Sequence, residues 1–131
     1  MTRINIGIPP RQLTDKHLLA EHREIKRIPN ALSKFGNSLN IKNLPKQFKM
    51  GEGHVRFFYD KGKYTFLRYI GLHQECKNRG FNVTNFSEAW NVYNKDFVHL
   101  FNEYIPTEQD KQLIIDRLIE KDNKYKQIFN I

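Results

Sequence analysis

A threonine in second place, an arginine behind it and the run His17-Leu-Leu-Ala-Glu21-His-Arg23-Glu24-Ile-Lys-Arg27 supply a candidate amine, carboxylates, imidazoles and guanidiniums near the start of the chain. A methionine followed by a residue as small as Thr2 is usually removed, which would make the α-amine of Thr2 the first group of the mature protein. Its ordinary pKa is about 7.7–8.0 against about 10.4 for lysine, so roughly a tenth of it is neutral near pH 7. Every chain has an N-terminus and few use it. Arg3 and the acid–base groups downstream are what set this one apart.

Those groups need an element to hold them. Thr14 or Asp15 is a suitable N-cap, and the pattern beyond predicts a long helix to Phe35, kinked at Pro29, whose missing N–H removes a backbone bond. On a wheel of about 100° per residue, Leu18, Ile25, Ile28, Leu32 and Phe35 share one arc. Glu21 falls inside that arc, which is unusual, because an ionised carboxylate is buried at high cost unless it is paired. His17 and Glu24 lie at the margin of the arc, and Arg23 and Arg27 project from the other side, where a phosphate could lie.

Together these types fit imine chemistry. A neutral amine can attack the C1′ carbon of a damaged nucleotide, and the imine then acts as an electron sink. Loss of a C2′ proton expels the 3′-phosphate by β-elimination. A carboxylate would move protons and stabilise a sugar cation, and guanidiniums would hold phosphates. On spacing alone, however, Glu24 reads more readily as an exposed helix glutamate bridging to Lys or Arg.

Charge points to the partner. Lys and Arg number 22 against 14 acidic residues, a net charge of +8. The basic residues are spread along the whole chain, which suggests a folded phosphate-binding surface rather than a polybasic arm. No apolar run approaches the roughly 20 residues of a membrane span. The single cysteine, Cys76, cannot form an internal disulfide, so a cytoplasmic location is expected.

The remaining pattern predicts an all-α fold, a small single domain over residues 1–131 of about three main helices with irregular connections. Residues 1–12, with Pro9 and Pro10, read as an extended arm carrying Thr2. Residues 36–63 read as irregular. A second helix is expected from Lys63 to Arg79 with Phe66, Leu67, Ile70, Leu72 and Cys76 inward and Gly80 as its terminator. Ser87 is a candidate cap for a shorter helix with Ala89, Trp90, Tyr93 and Phe97. Pro106-Thr107-Glu108-Gln109-Asp110 signals a last helix with Leu113, Ile114, Leu118 and Ile119 as its stripe. His73-x-x-Cys76 lacks a second ligand pair and reads as a surface histidine beside a core cysteine, not a metal site. His54 reads equally as a turn residue or a DNA contact. Phe57, Phe58 and Trp90 read as packing residues.

Five stretches carry a resemblance. Residues 1–5 (MTRIN), 17–30 (HLLAEHREIKRIPN), 51–59 (GEGHVRFFY), 75–82 (ECKNRGFN) and 103–108 (EYIPTE) resemble, in order, the phage and algal-virus pyrimidine-dimer DNA glycosylases, also called endonuclease V. The resemblance implies a compact helical enzyme, without metal or cofactor, that combines glycosylase and abasic-site lyase activities on damaged double-stranded DNA. It implies Thr2 as nucleophile, Glu24 as the essential carboxylate, and Arg3, Arg23 and Arg27 on the phosphates, with His17 beside the abasic sugar. The family's C-terminal segment carries a Trp-Tyr pair near the damaged strand. Here residues 122–131 contain no tryptophan, and Tyr125 is the candidate substitute. A monomer is expected. Other lesions, such as ring-opened purines, and a catalytically silent DNA-binding module are the alternatives.

Overall fold

The computed structural model describes residues 2–131; Met1, whose removal would free the Thr2 amine, lies outside the described residues. Five α-helices follow in chain order: α1 (Asp15–Glu24), α2 (Arg27–Phe35), α3 (Gly62–Asn78), α4 (Glu108–Lys121) and α5 (Tyr125–Ile128). Short 3-10 turns join them, and no strand occurs among the described residues. The fold is all-α.

The expected single long helix is two. Pro29 has no N–H for the Ile25 carbonyl, and its ring would crowd that carbonyl in a continuous helix. The Ile25 carbonyl instead accepts from Ile28 at 3.2 Å, and helical bonding resumes with the Asn30 N–H on the Lys26 carbonyl at 3.0 Å. The break therefore falls between Glu24 and Arg27, ahead of the proline itself. Leu18, Ile25, Ile28 and Leu32 are buried as the wheel predicts, but the break turns Phe35 out to 44% exposure, where its ring meets Tyr59 edge-on.

α3 ends as the sequence indicates. Gly80 takes a positive φ of 84°, with the Phe81 N–H on the Cys76 carbonyl and the Gly80 N–H on the Lys77 carbonyl, both at 2.9 Å. This is the Schellman pattern, for which glycine has no steric cost. Its buried face differs from expectation: Thr65, Tyr69, Leu72 and Cys76 point inward, whereas Leu67 and Ile70 are 53% and 45% exposed. The inward stripe must also carry Arg68, which needs a buried partner, and that choice leaves Leu67 on the opposite side.

Ser87–Asn94 forms a 3-10 helix rather than an α-helix, and Ser87 does not cap it. The Asn85 side chain accepts from the Ser87 N–H instead, and Asn91, Val92, Tyr93 and Asn94 are weak helix formers. Trp90 packs inside, its indole N–H donating to Thr65 Oγ1 at 3.1 Å. α4 opens with a capping box between Thr107 and Asp110, to which the Tyr104 hydroxyl also donates. Ile114 and Leu118 are buried on α4, and Leu113 is exposed.

The arm is the centre of the fold. Ile4 and Ile6 are fully buried, each worth roughly 1.5–3 kcal/mol. The Asn5 side-chain amide donates to Glu21 Oε1 at 2.7 Å, Gly7 N–H to the Tyr64 hydroxyl at 3.1 Å, and Arg68 Nη1 to the Ile8 carbonyl at 2.8 Å. Arg68 grips Glu21 with two nitrogens, Nε to Oε2 at 2.5 Å and Nη2 to Oε1 at 3.0 Å. Burial alone would discourage the Arg68 charge, but Glu21 beside it holds its pKa above the ordinary value.

Two further groups are buried neutral. Burial lowers the His22 pKa from 6.5 to about 4, with His73 and Lys26 adding to it. Burial lowers His54 likewise to about 4, against the raising effect of the Lys49 carbonyl. The unfolded chain takes up these protons first, so their contribution to stability is complete above pH 6.5 and is lost as pH falls from 6.5 toward about 4. Urea titrations across that window should show a slope of up to about 1.4 kcal/mol per pH unit for each histidine. Arg68→Met should cost about 3–5 kcal/mol, because Glu21 is left buried and unpaired. Pairing it with Glu21→Leu should not restore wild-type stability, because the Asn5 amide and the Ile8 carbonyl then lose their partners. A urea midpoint for the double variant equal to wild type would refute that account.

Candidate active site

Thr2, Glu24 and Arg27 come from three elements and meet at the helix break. Thr2 is 6% exposed at the head of the arm. One nitrogen, Arg27 Nη1, donates to both Thr2 Oγ1 and Glu24 Oε1, each at 3.2 Å. Arg23 Nη2 lies 3.6 Å from Glu24 Oε2, so the carboxylate stands between two guanidiniums. The Glu24 side chain is only 14% exposed, whereas those of Arg23 and Arg27 are 61% and 57% exposed. The cations thus face outward around an inset acid.

Both charges occupy the wrong helix ends. Glu24 closes α1, where the helix dipole is negative, and Arg27 opens α2, where it is positive. Each alone is mildly unfavourable; paired across the break, they offset one another. A local rule broken twice in four residues is the kind of conflict that marks a functional site.

Arg3 continues the strip from Thr2, half-buried and with no hydrogen-bonded or ion-paired partner among the described residues. Arg117 of α4 joins it. Burial lowers the pKa of Arg117, and the like charge of Arg3 lowers it further, while Glu120 opposes both. Guanidiniums close enough to repel one another suit an anion such as phosphate.

His17 extends the strip along α1. Its Nδ1 lies 2.7 Å from the Tyr125 hydroxyl, which also accepts from the Thr14 N–H at 3.0 Å. The same hydroxyl also lies 3.1 Å from Thr14 Oγ1, so it joins His17 and Thr14 in one hydrogen-bonded cluster. Burial, Arg117 and Lys16 lower the His17 pKa, which favours the neutral ring.

Tyr125 is brought to the site, but not as the sequence suggests. It is fully buried, stacked on Phe129 at 5.5 Å, with its hydroxyl holding the start of α1. Its ring faces inward here, and its hydroxyl meets His17. Arg117 was not visible in the sequence as a site residue: between Asp116 and Glu120 it reads as one half of a surface ion pair. Cys76 is a core residue, and His73 pairs with His22, Nε2 to Nδ1 at 2.9 Å.

A family model described as pyrimidine dimer DNA glycosylase matches residues 1–89, which hold the arm, α1, α2 and α3. The chain belongs to this family. The protein is accordingly a DNA glycosylase of the pyrimidine-dimer type, and DNA is its substrate. Thr2, Arg3, His17, Arg23, Glu24 and Arg27 all fall inside the matched stretch, whereas Arg117 and Tyr125 lie beyond it.

Tyr125→Phe should lower stability by about 1–3 kcal/mol by leaving the Thr14 N–H and His17 Nδ1 without their partner. Amide exchange in the first turn of α1 should quicken more than in α3. Equal protection in both helices of the variant would show that the hydroxyl anchors nothing.

Proposed function

We propose that the protein cleaves the N-glycosidic bond at UV-induced pyrimidine dimers and then the strand by β-elimination, through an imine on the α-amine of Thr2. The observation that carries this reading is the shared donor: Arg27 Nη1 links the residue that bears the amine to the Glu24 carboxylate. The neutral amine forms a bond to C1′ as the glycosidic bond breaks and its electron pair leaves with the base. The nitrogen then loses a proton and the sugar ring opens to the imine. Glu24 takes the C2′ proton, the C3′–O bond breaks, and the 3′-phosphate departs with that electron pair. Water hydrolyses the imine and returns the amine. Arg3, Arg23, Arg27 and Arg117 would hold the flanking phosphates, and His17 would lie beside the opened sugar.

Met1 must be absent for this chemistry, since a peptide nitrogen is not a nucleophile. Borohydride reduces an imine to a stable secondary amine, so the chain beginning at Thr2 should be trapped on a duplex with an abasic site, with the adduct on Thr2. A chain retaining Met1, or acetylated at Thr2, should give none through Thr2. Glu24→Gln should still be trapped on that duplex but cleave it about 10²–10⁴-fold more slowly. An adduct on a lysine, or undiminished cleavage by Glu24→Gln, would refute the assignment. Duplexes carrying a cyclobutane dimer or a ring-opened purine then separate the two lesion classes. The dimer duplex is expected to be the one cut.

A further inference from the structure

His54 is buried in an irregular segment far from the strip of charged residues in sequence, yet it reaches the arm two residues from Thr2. The Ile4 N–H donates to His54 Nε2 at 2.9 Å, and His54 Nδ1 donates to the Lys49 carbonyl, also at 2.9 Å. Because the Ile4 N–H can only donate, Nε2 must accept, which fixes the proton on Nδ1. The ring is 1% exposed and sits edge-on between Phe48 at 5.1 Å and Phe58 at 5.6 Å. Gly51 and Gly53, at φ of 70° and 91°, turn the backbone so that residues 49–54 close around the imidazole. Gly51 and Gly53 thus supply a geometry that other residues adopt only with strain.

The tie lies where no other reaches. Asn5, Gly7 and Ile8 are held by Glu21, Tyr64 and Arg68, all on the far side of Ile4 from the chain's beginning. Ahead of Ile4, the hydrogen bond among the described residues is the one from the largely exposed Arg27 side chain to the Thr2 hydroxyl. The direction in which the backbone leaves Ile4, and so the position of the Thr2 nitrogen, depends on the Ile4 peptide plane. That plane is set by the His54 bond.

We propose that His54 is a positioning residue for the Thr2 amine, acting as a fixed neutral acceptor that sets the Ile4 peptide and with it the reach of the nucleophile. This inference rests on the imine reading of Thr2. His54 touches no substrate; it acts through two residues of backbone.

His54→Phe keeps an aromatic ring in the pocket and removes both hydrogen bonds, whereas His54→Gln keeps an amide oxygen for Ile4 and an amide N–H for Lys49. In single-turnover trapping on abasic duplex, His54→Phe should be slowed on the order of 10²-fold, the effect of a small displacement of a reacting group, with the dissociation constant for that duplex unchanged within about twofold. His54→Gln should recover most of the rate. Exchange of the Ile4 amide should be about tenfold faster in His54→Phe, with the α4 amides protected as in wild type. If His54→Phe fails to fold, His54→Gln alone decides: wild-type Ile4 exchange with a wild-type trapping rate supports the proposal, and loss of Ile4 protection without loss of rate overturns it. A folded His54→Phe that traps at the wild-type rate overturns it, as does one in which Ile4 and α4 lose protection equally. Absence of trapping in the wild-type chain would sink the imine reading, and the Ile4 exchange rates would still report whether His54 sets the arm.

Discussion

The buried pair of Glu21 and Arg68 is the constraint around which the molecule is arranged. A carboxylate and a guanidinium withdrawn from water attract one another strongly, but the loss of hydration usually cancels most of that gain. Stability alone is thus a weak reason for the pair. Its geometry supplies a better one. Between them the two side chains make two bonds to each other, one to the Asn5 amide and one to the Ile8 carbonyl. An irregular arm can enter the core only if its backbone and amide groups find partners there. The ion pair provides directional partners where a purely apolar core would provide none, and so specifies one path for residues 2–8.

The same logic explains the split in the first helix. A continuous helix would place Glu24 and Arg27 within a uniform ladder, where they form an ordinary pair one turn apart. Breaking the ladder at Ile25 makes them helix ends, where their charges oppose the local dipoles and depend on each other. The arm then supplies Thr2 to the same guanidinium nitrogen. Proline, paired charges and buried arm thus converge on one point, although each belongs to a different level of the structure.

What could be read from the sequence was local. The Gly80 terminator, the Thr107 capping box and the disturbance caused by Pro29 each depend on residues within a few positions, and all three are present. Glu21 was conspicuous on an apolar face, and its need for a partner was legible. The partner was not, because Arg68 lies on another helix and resembles any other arginine in the chain. For the same reason the inward face of α3 was misjudged: apolar residues surround that helix, and only the burial of Arg68 fixes its rotation. Arg117, Tyr125 and His54 are placed by residues far away in sequence, to which periodicity and spacing are blind.

Tyr125 binds Thr14 and His17 across more than a hundred residues. The charged strip therefore draws on both the arm and the last short helix, with Arg117 arriving just before it. On the ribosome, Arg79 can hold the start of α1 through Asp15 and the Leu13 carbonyl as soon as α3 has emerged, but the Thr14 N–H and His17 meet their partner only with Tyr125. A chain that stopped short of α4 and α5 would carry Thr2, Glu24 and both of the guanidiniums beside Glu24, but neither Arg117 nor the hydroxyl that meets His17.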